Sequence, residues 1–272
     1  MGFRSKIEDG GSRIAIAALL VVSTLFPSLV AAQEKFRFPI GESSKTLSYG
    51  PLWVAAKMGF FEKEGLDVPI VTMRGSPLTI QALTADSIYV ANATVDTLIS
   101  AYERGADITM IGGLINGLGL SMIGGKQYKT YADLRGTTIG TQTLTSGTGF
   151  ALRLVLKVHG MEYPRDYKLL NIGGASDRYQ ALTSGQISSA PVGVPLYLVA
   201  KQQGFNIIGY FAADQPNFQF NTYIVKRAWA EKNRPLVVRF MKAMVSTMRW
   251  MADNRDAACV YLSREMAISV EH

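Results

Sequence analysis

A tetrapeptide that occurs twice at a fixed distance constrains this 272-residue chain more than any other feature. Gln81-Ala82-Leu83-Thr84 returns as Gln180-Ala181-Leu182-Thr183, an offset of 99 residues. The offset continues without a gap. Ile88 matches Ile187, Ala91 matches Ala190, Val95 matches Val194, Ala101 matches Ala200, Gly105 matches Gly204 and Ile108 matches Ile207. Solenoid repeats have periods of roughly 20–50 residues, so this period is too long for one. The chain reads as a single α/β unit built twice.

Within each copy, strand and helix patterns alternate. In the first, residues 35–40 read as a strand, and a polar loop over 41–49 leads to a helix over 50–63. Leu52, Trp53, Ala56 and Phe60 recur there at helical spacing, and Gly65 closes the helix. Strands follow at 67–73, 87–90 and 108–111, with helices at 77–84 and 94–104 between them. In the second copy, strands are predicted at 137–141, 167–172, 187–190 and 205–210. Its helices are predicted at 146–159, 177–183 and 195–203. Such alternation argues for a mostly parallel sheet flanked by helices in each lobe. The glycine-rich run 112–117 fits no dinucleotide fingerprint and no P-loop. It reads as the loop leading to the first crossing. After Gln219 an apolar strand (220–225) and two helix patterns (231–253 and 255–264) return to the first lobe. The expected fold is α/β and two-lobed, with crossings near 119–123 and 219–224. Lobe 1 is expected to comprise 33–120 plus 222–272, and lobe 2 to comprise 121–221.

The first 32 residues read differently. Arg4, Lys6 and Arg13 form a basic leader, residues 14–30 are uncharged and apolar, and Val30-Ala31-Ala32 offers a small-residue cleavage site. That is the pattern of a secretory signal peptide. The apolar run is interrupted by Pro27 and is shorter than the roughly 20 residues a spanning helix needs. An exported, periplasmic protein starting near Gln33 is expected, and a retained tether is the alternative. Cys259 is the single cysteine, so the core must hold the fold without an internal disulfide. It reads as a small buried apolar residue. The net charge of +7 comes from scattered residues, without a Lys/Arg run or an aromatic–basic stripe. Weak steering of an anion fits this; nucleic-acid binding does not.

In open parallel sheets, ligands sit beyond the carboxyl ends of the strands, where loops lead into helix N-termini. The loops at those positions are rich in Gly, Ser and Thr. They nominate Ser44, Tyr49, Arg74, Gly75, Ser76, Thr94, Thr143, Ser146, Gly147, Thr148, Ser176, Gly193 and Asn217 as ligand-binding residues, with Phe218 beside the last. Arg74 is the candidate counter-charge for an anion. Ser146 is also a natural helix N-cap, and Trp53 lies on the apolar stripe of its helix and reads as core. Catalytic patterns are missing. The two histidines, His159 and His272, stand near no candidate nucleophile, and HExxH, GxSxG and paired cysteines do not occur. No cofactor and no metal are expected.

The run Tyr49-Gly50-Pro51-Leu52-Trp53-Val54-Ala55-Ala56-Lys57-Met58-Gly59-Phe60-Phe61-Glu62-Lys63-Glu64-Gly65-Leu66-Asp67-Val68 resembles the opening of substrate-binding proteins of the aliphatic sulfonate, taurine and nitrate ABC importers, within the NMT1/THI5-like family. Asp133-Leu134-Arg135-Gly136-Thr137-Thr138-Ile139-Gly140 is similar to that family's start of the second lobe. The resemblance runs over about residues 35–265. It implies a type II periplasmic-binding-protein fold, a small-molecule ligand and an ABC transporter permease as partner, with the protein acting as a monomer. Family members usually run longer, with further C-terminal helices. The pyrimidine-forming branch of the family uses a cysteine-rich motif and a catalytic histidine. This chain carries no such cluster, so a non-enzymatic binding role is expected over pyrimidine or thiamine-precursor synthesis. A tethered ligand-sensing domain is the remaining alternative.

Overall fold

A computed structural model describes residues 35–267. The expected leader lies outside the described residues. In chain order, β1 (Phe36–Arg37), β2 (Ile40–Glu42), α1 (Gly50–Lys57), α2 (Phe60–Lys63), β3 (Leu66–Asp67), β4 (Ile70–Thr72), α3 (Ser76–Thr84), β5 (Val90–Thr94), α4 (Val95–Glu103) and β6 (Ile108–Asn116) come first. β7 (Ser121–Gly124), β8 (Thr138–Thr141), α5 (Gly147–Val158), β9 (Lys168–Asn171), α6 (Ala175–Thr183), β10 (Ser189–Val192), α7 (Leu196–Gln202), β11 (Asn206–Tyr210) and α8 (Phe211–Asp214) follow. β12 (Gln219–Lys226), α9 (Arg227–Lys232), α10 (Arg234–Asp253) and α11 (Arg255–Met266) come last among the described residues.

Two five-stranded sheets result, ordered β4-β2-β5-β12-β6 and β9-β8-β10-β7-β11. In each, one strand runs antiparallel to its neighbours. It is β12 in the first sheet and β7 in the second, and each arrives from the other lobe. The 99-residue offset proves to be a register. Ile40 pairs with Val90 and Ile70, and Ile139 pairs with Ser189 and Leu169. Helices α3 and α6 are in step from first to last residue. Asp86 and Gly185, at equivalent turns, share a left-handed backbone.

Each sheet carries a core on both faces. On the first sheet, Phe38, Ile40, Val90, Tyr223 and Val225 pack with Trp53, Phe61, Phe240 and Met244, and α10 lies against α1 and α2. Its other face packs Ala91, Ala93 and Ile224 under Ile80, Leu83, Leu98 and Ala101. The second sheet repeats the arrangement with α5 on one face and α6 and α7 on the other. Trp53 is core, as its place on the stripe predicts.

One packing detail recurs at the offset. A methyl added at Gly41 would lie 2.6 Å from Ile88 Cδ1, and one added at Gly140 would lie 2.5 Å from Ile187 Cδ1. In both lobes the helix-side isoleucine rests directly on the first strand's backbone. Gly41→Ala and Gly140→Ala should each destabilise the fold by about 1–3 kcal/mol through overpacking. Adding Ile88→Val or Ile187→Val, which removes the clashing carbon, should recover part of that loss. Urea unfolding measures it, and alanine variants as stable as the parent would refute this packing account.

Several expectations need correction. Residues 112–116 are not a loop; they extend β6 to Asn116. The glycines are there to admit neighbours. A side chain at Gly112 would meet Met241 Cε at 2.9 Å, and one at Gly113 would meet the Gln219 amide, which donates to the Ile115 carbonyl (2.9 Å). The β6–β12 register shifts along this stretch. Cys259 is exposed on α11, because its neighbour Ala258 takes the inward position. The chain passes between the sheets at residues 117–120 and 215–218. These two segments touch, with the Gly117 N–H donating to the Phe218 carbonyl (2.5 Å).

Candidate ligand-binding cleft

The carboxyl ends of β2, β5, β8 and β10 face one another across the space between the sheets. From them arise four helices, α1 after a short turn, α4, α5 and α7, while α3 and α6 begin beside them. An inner chamber of about 40 Å³ lies there. Lobe 1 lines it with Ser43, Ser44, Tyr49, Ser76, Thr94 and Asn221, and lobe 2 with Gln142, Gly147, Thr148, Ala175, Arg178, Gly193 and Val194. Gly119 and Leu120, on the first crossing, close its back. The first residues of α3, α5 and α6 and the N-cap of α4 all border this chamber, so unpaired N–H groups and positive helix ends converge on it. An outer chamber of about 460 Å³ adjoins it through Ser44, Gln142 and Ala175 and includes Lys45, Arg74, Thr143 and Ser176.

The lobes meet tightly at the inner chamber. Gln142 Nε2 donates across the cleft to the Ser43 carbonyl (3.3 Å). Gly147 abuts Thr94 of the facing lobe so closely that an added Cβ would lie 2.6 Å from Thr94 Cβ. Thr94 is held from behind. Its N–H and hydroxyl donate to Ser76 Oγ (3.1 Å each), so the α3 and α4 starts move as one piece. The inner space suffices for ordered water, but an organic solute generally sits in a pocket of roughly 300–1,000 Å³. Admitting one there requires the lobes to part.

The decisive charge in the cleft is Arg178, on α6. It is 3% exposed and lines the inner chamber. Its Nε donates to the Pro191 carbonyl (3.0 Å) and its Nη1 to the Gly173 carbonyl (2.6 Å). Among the described residues no carboxylate pairs with it. Asp177 beside it instead accepts from the Gly174 N–H at the start of α6 (2.9 Å). Burial pushes the Arg178 pKa down to about 10, against a small opposing pull from Asp177. The residue at the same point of the lobe 1 repeat is Thr79. It hydrogen-bonds Ser43 Oγ (2.9 Å), whose hydroxyl donates to the Asn92 carbonyl (2.9 Å), the counterpart of Pro191. A guanidinium in lobe 2 thus does the work of two hydroxyls in lobe 1 and brings a charge to the cleft.

The sequence-nominated residues divide. Ser44, Tyr49, Ser76, Thr94, Gly147, Thr148 and Gly193 line the inner chamber. Arg74, Thr143 and Ser176 line the outer one. Gly75 is the N-cap of α3 and faces the Gln142 amide (3.7 Å from an added Cβ). Ser146 is buried and spent on structure, accepting from Gly149 N and Thr143 N (3.2 Å each) and donating to the Thr143 carbonyl (2.8 Å). Asn217 is exposed on the second crossing and lines neither chamber, and Phe218 packs against Phe150 and Phe220. Sequence reading missed Ser43, Gln142, Arg178 and Asn221. The first two stand at one repeat position and could have been found by extending the 99-residue offset; Arg178 and Asn221 left no such signal. His159 bonds Asp214 (2.9 Å) and stacks on Tyr131 in lobe 2, and lines neither chamber.

A family model described as "NMT1/THI5 like" matches residues 47–258. The chain belongs to this family. A curated relative is YtlA of Bacillus subtilis (strain 168), which carries the name of a binding protein. It is 22% identical over 249 residues, 89% of this chain and 75% of that one. The solved alkanesulfonate-binding protein SsuA of Xanthomonas axonopodis pv. citri, bound to MOPS, superposes with a TM-score of 0.76 at 19% identity, covering 88% of this chain and 82% of the other. The periplasmic nitrate-binding protein NrtA of Synechocystis PCC 6803 gives 0.73 at 19% identity, with 88% and 69% covered. At these identities the likeness is one of fold. This NMT1/THI5-like chain has the two-lobed α/β architecture of periplasmic binding proteins. Among its described residues no helix is long and apolar enough to cross a membrane, and no cluster of His, Cys, Asp and Glu could hold a metal.

Proposed function

We propose that this protein is the solute-binding component of an ABC importer and captures a small organic anion between its lobes. The single observation that carries the reading is Arg178, a buried guanidinium in the cleft with which no carboxylate among the described residues forms an ion pair. A buried unpaired cation is unfavourable until an anion neutralises it. A carboxylate or sulfonate entering beside Arg178 would also meet the N–H groups at the starts of α5 and α6. Arg74 and Lys45, on the outer chamber, suit a steering role on the approach path.

In this reading the protein works without chemistry on its cargo. Lobe 1 comprises 35–116 and 219–267 and lobe 2 comprises 121–214, an earlier boundary than the expected 221 because β12 joins the first sheet from Gln219, and they close about the 117–120 and 215–218 segments. A membrane permease reads the closed form. The leader is removed on export to the periplasm, and the protein acts as a monomer. Titration calorimetry and small-angle scattering against short-chain sulfonates, carboxylates and neutral sugars test the proposal. Binding of acids with micromolar or better affinity, together with compaction, is expected. Binding of neutral sugars alone, or none, would overturn it.

A further inference from the structure

The repeat that makes the lobes alike also marks where the cleft is asymmetric. Lobe 2 contributes Arg178, Ala175, Gly193 and Leu120. The matching positions in lobe 1 are Thr79, Ser76, Thr94 and Asn221. Asn221 stands where Leu120 stands because β12 pairs with β5 as β7 pairs with β10, through Ala91–Ile224 and Ala190–Ile123. The lobe 1 wall is therefore neutral but rich in hydrogen-bonding groups.

Those groups are not all used. Asn221 is 1% exposed and borders the inner chamber, yet neither its Oδ1 nor its Nδ2 makes a well-formed hydrogen bond among the described residues, although the Tyr49 hydroxyl is near enough to interact with its amide. Behind it, Asn92 (0% exposed) and the Tyr223 hydroxyl (2%) are also unpartnered. Asn92 and Tyr223 are direct register neighbours, and Asn221 pairs with Thr94 one step nearer the cleft, so the three lie on one face of the sheet. The Tyr49 hydroxyl lies beside Asn221 and Ser43, and burial drives its pKa above the usual phenol range, so it remains a neutral donor. Buried amides without partners are rare, because an unmatched donor or acceptor has given up water without gaining a hydrogen bond. An unmatched amide oxygen and nitrogen on a residue that borders the inner chamber suit a ligand group that both donates and accepts.

We infer that Asn221 is a specificity-determining residue that receives a neutral donor–acceptor end group, a carboxamide, ureido or hydroxyl, of the acid whose anionic end meets Arg178. The inference rests on the anion reading of the cleft and adds the chemistry of the opposite end. A second carboxylate at that end would meet no cation in the lobe 1 wall, so dicarboxylates are disfavoured there. A purely alkyl end would leave Asn221 unmatched.

The test uses the whole protein and a matched panel. Succinamate and glutaramate carry an amide end, pentanoate and hexanoate an alkyl end, and succinate and glutarate a second charge. Calorimetry should show the amide acids binding at least about tenfold more tightly than their alkyl counterparts. Asn221→Leu, similar in volume, should abolish that preference, so that amide and alkyl acids of matched length bind within about threefold of each other. Asn221→Ser serves if the leucine variant does not melt cooperatively by circular dichroism, and it should reduce the preference. Equal affinities in the parent, a preference that survives Asn221→Leu, or tightest binding by the diacids would each overturn the inference. A preference retained in the variant is also what an internal water on Asn221 would give. Anions that bind without any end-group preference would remove this inference alone. No binding of any acid would remove the anion reading and this inference together.

Discussion

Arg178→Met is expected to abolish anion capture while leaving a folded protein. The guanidinium is the charge in the inner chamber, and truncating one partner of a buried charge pair typically costs about 2–5 kcal/mol, roughly 30- to several-thousand-fold in affinity. The free protein should suffer little. Removing a desolvated charge favours the fold, whereas the Pro191 and Gly173 carbonyls lose their donors, and the two effects oppose each other. The sign follows from the pKa. Its folded value, about 10, lies below the ordinary guanidinium range. The unfolded chain therefore holds the proton more tightly. The resulting penalty is constant at neutral pH and fades only as pH rises above about 10. A bound anion relieves it at neutral pH. Thermal melting with and without the tightest-binding acid separates the effects. The parent should show a ligand-induced rise in Tm and Arg178→Met should show none. Affinity retained within a few-fold would show that the anion sits elsewhere, with Arg74 and Lys45 at the outer chamber as the next candidates.

The second large effect concerns closure. In Gly147→Val the new side chain would press on Thr94 of the facing lobe, with its Cβ 2.6 Å from Thr94 Cβ and closer still to Thr94 Oγ1 and Cγ2. Thr94 cannot yield easily, because Ser76 and Thr97 hold its hydroxyl. The lobes must part instead. Overpacking of this kind costs about 1–3 kcal/mol and falls on the closed form, so ligand affinity should drop by roughly 5- to 150-fold. Each lobe's own core is untouched, and Tm without ligand should change little. Small-angle scattering should show a larger radius of gyration than the parent's, with no compaction on adding the tightest-binding acid. Combining Gly147→Val with Thr94→Gly should restore part of both. A variant that closes and binds as the parent does would refute the contact.

Much of the framework was legible before any coordinates. The alternation of strand and helix appears where predicted, and most element bounds shift by one to three residues. The larger miss was β6, where Gly112 and Gly113 read as a loop. Glycine marks turns only when nothing else needs the space; here Met241 and the Gln219 amide need it. Within the cleft, the Gly/Ser/Thr loops at strand ends led to seven of the residues that line the inner chamber. Ser146 was a helix cap, whose hydroxyl is fully engaged at home. Arg178 was invisible because Asp177-Arg178 at the start of a helix reads as a solvated charge pair. Only the packing of α6 against β10 turns that side chain inward. Asn221 was hidden in an apolar strand, where one polar residue carries no periodic signal.

The sequence by itself determined the duplication, because a repeated hydrophobic pattern repeats the same elements, the same pairing register and even the same Gly–Ile contact in each lobe. It could not determine how the copies differ in function. At one repeat position Thr79 and Arg178 occupy equivalent places on equivalent helices, and Asn221 stands beside β5 where Leu120 stands beside β10. Whether such a difference is surface variation or the chemistry of a site depends on which face is buried and what stands opposite. That is a property of the two sheets facing each other, and only the tertiary structure decided it.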